Sequence, residues 1–158
     1  DGTNDSLISA SWTWPPYNPF TFFIAFKPTR NSGGDQTVVT TNAGNGLLQT
    51  DSSDTHKFVF WVAGDFATNK TAPSTAVAFN SWHHANHRAN GASSIQRIDG
   101  TTVSTDNPGG GGDSNVGLLR TVLGGVDWGG LNFQGEIAEY FAYGGILTGT
   151  ENGPSSVS

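Results

Sequence analysis

The sequence predicts an all-β fold, in which two antiparallel sheets pack face to face as a sandwich. Between Asn80 and Thr105, runs of β-branched and aromatic residues are separated by Asn90-Gly91 and Asp99-Gly100, the dipeptides that supply positive φ in tight hairpins. Residues Phe20 to Lys27 alternate in character as a strand with one buried face does. Charged residues make up only 13% of the chain and glycine occurs 22 times, a composition that favours many short strands joined by turns.

The other predicted strands are bounded by turn residues. Pro28 ends the strand that begins at Phe20, because proline has no N–H to donate to a sheet. The glycine-rich run 108–113 is too flexible for a strand and is predicted to be an exposed loop. Outside the Asn80 to Thr105 region, the further predicted strands are 36–41, 46–49, 56–63, 75–79, 116–123 and 133–143.

The inward positions of these strands predict the hydrophobic core. Side chains at every second residue of a strand share a face, so one parity is buried in each strand of a sandwich. The predicted core consists of Phe20, Phe22, Ile24, Phe26, Phe58, Phe60, Val62, Trp82, Leu123 and Ile137.

An ordered set of motifs resembles one known group of domains. The set comprises the strand opening Trp82-His-His, the Asn90-Gly91 turn, the Ile98-Asp-Gly-Thr-Thr-Val turn, Leu123-Gly-Gly, and the strand from Phe133 to Tyr143. In this order they resemble the concanavalin A-like, laminin-G-like jelly rolls of bacterial and phage surface proteins. The resemblance implies an antiparallel jelly-roll sandwich over nearly the whole chain.

The 158 residues are expected to form one domain. The resemblance places the jelly roll at 1–148 and leaves both of its ends looking truncated, since Asp1 begins within the opening strand and turn of the family. The segment 149–158 is predicted to be a frayed tail, because it is rich in glycine, serine and other polar residues.

Composition excludes several classes of function. Without cysteine, the chain has no disulfide scaffold, no cysteinyl zinc site and no thiol nucleophile. The formal charge is −6 and the seven Lys and Arg residues are scattered, whereas a nucleic-acid site needs clustered basic residues. No apolar run approaches the roughly 20 residues of a membrane-spanning helix. Nucleic acid and membrane insertion are therefore not expected.

Two glutamates raise the question of catalysis. Related jelly rolls include glycoside hydrolases, and retaining enzymes of that class need two carboxyl groups roughly 5 Å apart. Glu136 and Glu139 are three residues apart, so a regular strand directs them to opposite faces, although a β-bulge would change this. We predict that the protein is not an enzyme, with no catalytic residue and with these two carboxylates on opposite faces or held by backbone donors.

Metal binding is considered for histidines and aspartates separately. His83 and His87 share a strand face but lie about 13 Å apart, too far to chelate one ion, so the histidines are expected to be structural. The resemblance implies that a Ca²⁺ ion can bind near an aspartate-rich turn, where hard oxygen ligands are available. The aspartates considered as ligands are Asp5, Asp99 and Asp113.

Aromatic residues are the main indication of a binding site. Trp128 lies beside Asp127 in a loop with no apolar periodicity to bury it, and Trp14 and Tyr17 flank the Pro15-Pro16 pair. The apolar face of a sugar stacks on an exposed aromatic ring while neighbouring polar groups bind its hydroxyls. These four residues are the predicted ligand-binding set, and a glycan is expected on loops at one rim of the sandwich, near Trp128 and Asp127.

The most consistent interpretation is a non-catalytic recognition or adhesion module, binding a glycan, within a larger extracellular or virion surface protein. A purely structural role is the alternative, as a phage capsid decoration or fibre-head domain whose partners are neighbouring subunits. A glycoside hydrolase or lyase is the second alternative. The architecture alone does not choose among them, because such folds host all three roles.

Overall fold

A computed structural model describes residues 6–14, 20–29, 36–41, 46–51, 54–59, 76–90, 93–105, 117–125 and 131–145. These residues form β-strands, turns and irregular segments, and none of them lies in a helix. Accordingly, the described residues contain no helix long and apolar enough to cross a membrane. The strands are β1 (Leu7–Ile8), β2 (Trp12–Trp14), β3 (Phe20–Pro28), β4 (Thr37–Thr41), β5 (Gly46–Asp51), β6 (Asp54–Val59), β7 (His83–Ala89), β8 (Ile95–Ile98), β9 (Thr101–Ser104), β10 (Gly117–Leu119), β11 (Thr121–Leu123) and β12 (Gly135–Tyr143).

The strands form two larger sheets, with five described strands in each. Sheet I has the order β1-β11-β4-β5-β6, and sheet II has the order β12-β3-β7-β8-β9. Every strand pairing within them is antiparallel. Strands β2 and β10 form a separate antiparallel pair. The predicted all-β sandwich of antiparallel sheets is therefore confirmed.

The core lies between the two sheets, and β3 supplies its centre. Phe22, Ile24 and Phe26 point inward as their alternation predicts, and all three are buried. Phe26 meets Phe58 of sheet I edge to face, with ring centroids 5.0 Å apart, and Phe133 at 6.1 Å. Edge-to-face contacts at these separations are favourable for aromatic rings in a core.

The core prediction is confirmed for most of the residues that the structure describes and wrong for Trp82. Leu123 and Ile137 are partly buried and pack against the buried cluster. Trp82, however, is 51% exposed. The reason is parity: His83 pairs with the inward residue Phe26, so Trp82, one residue earlier, has the outward parity. Phe60 and Val62 lie outside the described residues, as does the side chain of Phe20.

Two predicted strands differ from the structure. The segment predicted as 116–123 is divided at Arg120, because β10 pairs with β2 whereas β11 pairs with β4. Residues 76–79 are not a strand but an irregular segment that ends in a turn at Asn80, where φ is +58°. Val77 is nevertheless buried. Its apolar character thus reflects packing of a loop and not a place in a sheet.

The Asp99-Gly100 turn has the predicted geometry. Asp99 has φ +53° and Gly100 has φ +77°, which are the positive values of a two-residue hairpin between β8 and β9. The turn extends sheet II beyond β7 and places the Asp99 carboxylate beside the start of that strand.

Candidate functional site: the outer face of sheet II

The outer face of sheet II is the side that points away from the core, and its composition follows from the strand register. On β3 it carries Thr21, Phe23, Ala25 and Lys27, which alternate with the core residues Phe22, Ile24 and Phe26; Thr21 is also buried. Their neighbours on β12 and β7 are set by direct pairing. The outer face thereby includes Glu136, Glu139, Phe141 and Tyr143 on β12, the four β3 residues, His84, Asn86 and Arg88 on β7, Ile95 and Arg97 on β8, and Thr102 on β9.

An aromatic-to-polar row crosses the middle of this face. Phe141 pairs with Phe23, Phe23 pairs with Asn86, and Asn86 pairs with Arg97. Phe141 is 47% exposed and Phe23 is half-buried. Tyr143, which is 44% exposed, meets Phe23 edge to face with ring centroids 6.3 Å apart. The outer side of an antiparallel sheet is usually polar, so three aromatic rings grouped there form an apolar patch available to a ligand.

Asn86 is a buried polar residue next to these rings. Its side chain is only 4% exposed, and its Nδ2 donates a hydrogen bond to the Phe22 carbonyl oxygen at 3.2 Å. Because a carbonyl only accepts, this bond fixes which side of the amide is nitrogen. In the described ranges, Asn86 Oδ1 is buried and accepts no hydrogen bond, and Arg88 Nε, two residues along β7, is buried and donates none. A buried polar atom left unsatisfied costs about 1–3 kcal/mol, which a ligand group can recover.

A β-bulge brings the two glutamates to one face, contrary to the prediction. In the register of β12 on β3, Glu136 pairs with Lys27 and Glu139 pairs with Ala25, with Ala138 inserted between them. Since Lys27 and Ala25 share a face, both glutamates lie on the outer face. Glu136 is held by an ion pair with Lys27 and not by a backbone donor.

The two glutamates lie in surroundings that are open to solvent. The general acid of a glycosidase sits in an apolar pocket that keeps it protonated. Glu136 and Glu139 are both exposed. Lys27 also lies over the ring of Trp82, 5.6 Å from its centroid. The end of the outer face near Glu136 is therefore a surface arrangement of ion pair and cation–π contact, each of modest strength.

His83, His84 and Asp99 form a hydrogen-bonded group at the β8–β9 turn, which we call the histidine–aspartate clamp. Asp99 Oδ2 lies 2.6 Å from His83 Nδ1, and Asp99 Oδ1 accepts from the His84 backbone N–H at 2.9 Å. His83 Nε2 is 2.8 Å from the Ala78 carbonyl oxygen. His83 therefore lies between two oxygens, with one ring nitrogen facing the Asp99 carboxylate and the other facing the Ala78 carbonyl. The clamp ties the turn to the segment that precedes β7.

The clamp also determines the charge of Asp99. Burial alone would raise the pKa of this carboxyl. The hydrogen bonds from His83 and from the His84 amide, with the attraction of both imidazoles, outweigh burial and hold the pKa of Asp99 below its usual range. Asp99 is thus a carboxylate whose oxygens are already engaged by nitrogen donors.

The Ca²⁺ site stays a prediction, and the oxygens of Asp99 already have nitrogen partners. Calcium takes six to eight oxygen ligands, whereas the Asp99 oxygens face a backbone amide and two imidazoles. Across the described ranges, no group of three or more histidine, aspartate or glutamate residues is placed to hold a metal ion. The other two aspartates considered, Asp5 and Asp113, lie outside the described residues.

His87 has a structural role in the core. It is 1% exposed and stacks on Phe22 with ring centroids 5.6 Å apart and planes inclined by 18°. Burial lowers its pKa to about 3, because the charged form would lose its hydration. The ring is therefore neutral near pH 7, in agreement with the prediction that the histidines are structural.

The predicted rim site cannot be compared with the outer face. Asp127, Trp128 and Tyr17 lie outside the described residues, and Trp14 is described only in its backbone, as part of β2. Sequence reasoning missed the outer face instead. The outward parity of Phe23 and the Tyr-Phe-Ala-Tyr run of β12 could have indicated it, but only with the bulge and the register of β12 known.

A second surface feature lies between β1 and β12, the outermost of the described strands in sheets I and II. A groove of about 450 Å³ is lined there by β1, β11 and β12. Its apolar residues include Leu7, which is 68% exposed, together with Ile8 and Phe141. The groove adjoins the outer face through Phe141.

Comparison with known proteins identifies the fold. No protein-family model matches the chain, and no curated protein sequence matches it. Among solved structures, it is similar to Trypanosoma rangeli sialidase in complex with sialic acid, with a TM-score of 0.65 and 12% identity over 94% of this chain and 28% of that one. The chain thus spans about a quarter of the length of the sialidases that it matches.

Two smaller proteins are also similar. The native heptameric SAP-like pentraxin of Limulus polyphemus matches with a TM-score of 0.61 and 15% identity, covering 94% of this chain and 79% of that one. A candidate carbohydrate-binding protein of Bacteroides ovatus matches with a TM-score of 0.64 and 15% identity, covering 94% and 43% respectively. At such low identity the likeness concerns the fold alone, and it agrees with the predicted jelly-roll sandwich.

Proposed function

We propose that this domain is a non-catalytic recognition module of the concanavalin A-like, laminin-G-like group that binds a saccharide on the outer face of sheet II. One observation carries the proposal: the row Phe141, Phe23, Asn86 and Arg97 places exposed rings beside hydrogen-bonding groups on a rigid sheet. A saccharide offers the matching chemistry, since its apolar C–H face stacks on rings while its hydroxyls donate and accept hydrogen bonds.

The structural likenesses are consistent with this proposal. One similar protein is named as a candidate carbohydrate-binding protein, and another is a sialidase in complex with sialic acid. These names describe those proteins, and the proposal for this chain depends on the residues of its outer face. The setting that we propose is the surface of a bacterial cell or virion, as part of a larger protein.

The test is a saccharide-panel screen followed by titration with Tyr143→Ala, Phe141→Ala and Trp128→Ala variants. Loss of affinity by about tenfold or more in the Tyr143 or Phe141 variant, with Trp128→Ala unchanged, would support the outer face. Leu7→Ala is the matched control, because Leu7 is an exposed apolar residue of sheet I. Loss in the Trp128 variant alone would instead place the ligand at the rim loops.

A structural role is the second candidate, and the groove between β1 and β12 favours it. Exposed Leu7, Ile8 and Phe141 line a concave apolar surface at two sheet edges, and unpaired edges are where further chains add to a sheet. A neighbouring copy of this domain in an assembly would be its partner. Sedimentation of the parent chain and of Leu7→Asp tests this role, which is refuted if both remain monomeric at high concentration.

A further inference from the structure

The arginines of the outer face point to a specific class of saccharide. In a chain of net charge −6 with seven Lys and Arg residues, Lys27, Arg88 and Arg97 all belong to the outer face. Lys27 is paired with Glu136. Arg88 and Arg97 form no ion pair with any carboxylate of the described residues. Within the described part of the chain, these two guanidinium groups therefore have no carboxylate partner.

The register places these two arginines on either side of Asn86. Arg97 pairs directly with Asn86 across β7 and β8, and Arg88 follows Asn86 by two residues on the same face. Arg88 pairs with Ile95, so Arg88 and Arg97 are diagonal neighbours, a relation that separates residues by roughly 7–8 Å. Long side chains at that distance can act on one ligand.

Unsatisfied hydrogen-bonding atoms lie at the same place. Among the described residues, Arg88 Nε is buried and finds no acceptor, and Asn86 Oδ1 is buried and finds no donor. Arg88 Nε needs an acceptor, and Asn86 Oδ1 needs a donor. A ligand that brings only an anion, such as inorganic phosphate, would satisfy the first atom, whereas a ligand with both an anionic group and a hydroxyl would satisfy both.

The distribution of charge across the outer face would orient an anionic ligand. The β12 side carries Glu136 and Glu139 with the rings of Phe141 and Tyr143, and the β7–β8 side carries the arginines. An anionic group is repelled by the first side and attracted to the second. A sugar ring stacked near Phe23 would therefore direct its anionic substituent toward Arg97.

We infer that the ligand is an anionic saccharide, whose carboxylate or sulfate group is bound by Arg88 and Arg97 while a hydroxyl donates to Asn86 Oδ1. This inference rests on the proposed function and specifies its ligand. A planar guanidinium forms paired hydrogen bonds to either oxyanion. The carboxylate of a uronic acid and the sulfate of a sulfated sugar are the two sources of this chemistry.

The test compares oligosaccharides of equal length with the full chain: oligogalacturonate, the same oligomer with its carboxyls methyl-esterified, and a sulfated oligogalactan. We expect oligogalacturonate or the sulfated oligomer to bind at least about tenfold more tightly than the neutral ester, and the difference to shrink as salt is raised. Which of the two binds better identifies the anionic group.

Arg97→Gln and Arg88→Gln should each remove most of the preference for the anionic oligomer, and Arg97→Lys should retain part of it. Arg120→Gln is the matched control, since Arg120 joins β10 to β11 away from sheet II, and its variant should keep the preference. If Arg88→Gln lowers the melting temperature, Arg97→Gln decides alone, because Arg88 is the one of the two with a buried guanidinium nitrogen that lacks a partner among the described residues.

Three outcomes would overturn the inference. Equal binding of the acid and its ester, with Tyr143→Ala still weakening both, would refute the anionic class and leave the proposed function intact. Binding of polyglutamate as tight as that of oligogalacturonate would show that charge alone is recognised. Absence of binding to the anionic and neutral oligomers and to the wider saccharide panel would refute the inference and the proposed function together.

Discussion

The two faces of sheet II are built from the same strands, yet one packs in the core and the other is largely available at the surface. On β3, the inward residues Phe22, Ile24 and Phe26 are buried, while the outward residues Phe23, Ala25 and Lys27 remain partly exposed. The inner face can therefore be understood from packing alone. The outer face carries three aromatic rings and two arginines that packing does not require, and this difference separates the stabilising residues from those available for binding.

The largest expected effect is a loss of stability in acid, caused by buried His87 on the inner face. Because burial lowers the pKa of His87 from 6.5 to about 3, the unfolded chain binds a proton that the folded core excludes. The contribution of neutral His87 to the free energy of unfolding should be fully present above pH 6.5. It should fall by roughly 1.4 kcal/mol for each pH unit below that value, and by on the order of 5 kcal/mol in total by pH 3. Urea unfolding at pH 7.5, 5.5 and 4.5 measures this slope.

The His87→Gln variant supplies the control, since it cannot titrate. Whatever its stability at pH 7.5, the slope between pH 6.5 and 4.5 should be largely lost. A variant that kept the parent slope would show that the acid sensitivity of the protein comes from groups other than His87.

A second prediction compares neighbouring phenylalanines on opposite faces. Phe22→Ala should lower the free energy of unfolding by about 3–5 kcal/mol, because it leaves a cavity in a close-packed core. Phe23→Ala should lower it by only about 1 kcal/mol, since its ring is half-exposed. Urea unfolding measures both, and equal losses would mean that the outer face is also covered by packing.

A third prediction concerns the histidine–aspartate clamp at the β8–β9 turn. Asp99→Asn removes the charge that holds His83 and His84 and should cost about 1–2 kcal/mol near pH 7. Because the folded pKa of Asp99 is lowered, the contribution of this clamp is present above the ordinary aspartate pKa and is lost as pH falls through the folded value. The Asn variant should therefore differ least from the parent at low pH.

Exposed Glu139 serves as the control carboxylate for this comparison. Thermal unfolding of Asp99→Asn and Glu139→Gln at pH 7 and pH 3 distinguishes the clamp from general surface charge. An equal loss in both variants would contradict a specific role of Asp99.

The smallest expected effect is on hydrolysis. Glu136 and Glu139 share the outer face through the bulge, but both are exposed, and we expect no release of reducing ends from polysaccharides by the parent chain. Release that Glu139→Gln abolished while the variant remained folded would make the outer face an active site.

Sequence reasoning was most successful where a local pattern has a single physical meaning. The alternation of β3 indicated its buried residues, and the Asp99-Gly100 turn has the positive φ values that its residue types favour. Trp82 shows the limit: large apolar side chains are usually buried, but strand parity was not known at the start of β7. The ring, just before that strand, is exposed and lies beneath Lys27.

The sequence by itself determined the class of fold, because alternation and turn residues are local and leave few arrangements for a chain of this composition. Only the tertiary structure decided which residues meet. The bulge at Ala138 reverses the parity of β12 after Ile137, and the pairing of β7 with β8 sets Arg97 beside Asn86. Both depend on contacts between residues distant in the chain, so the outer face becomes visible only when the strands are in register.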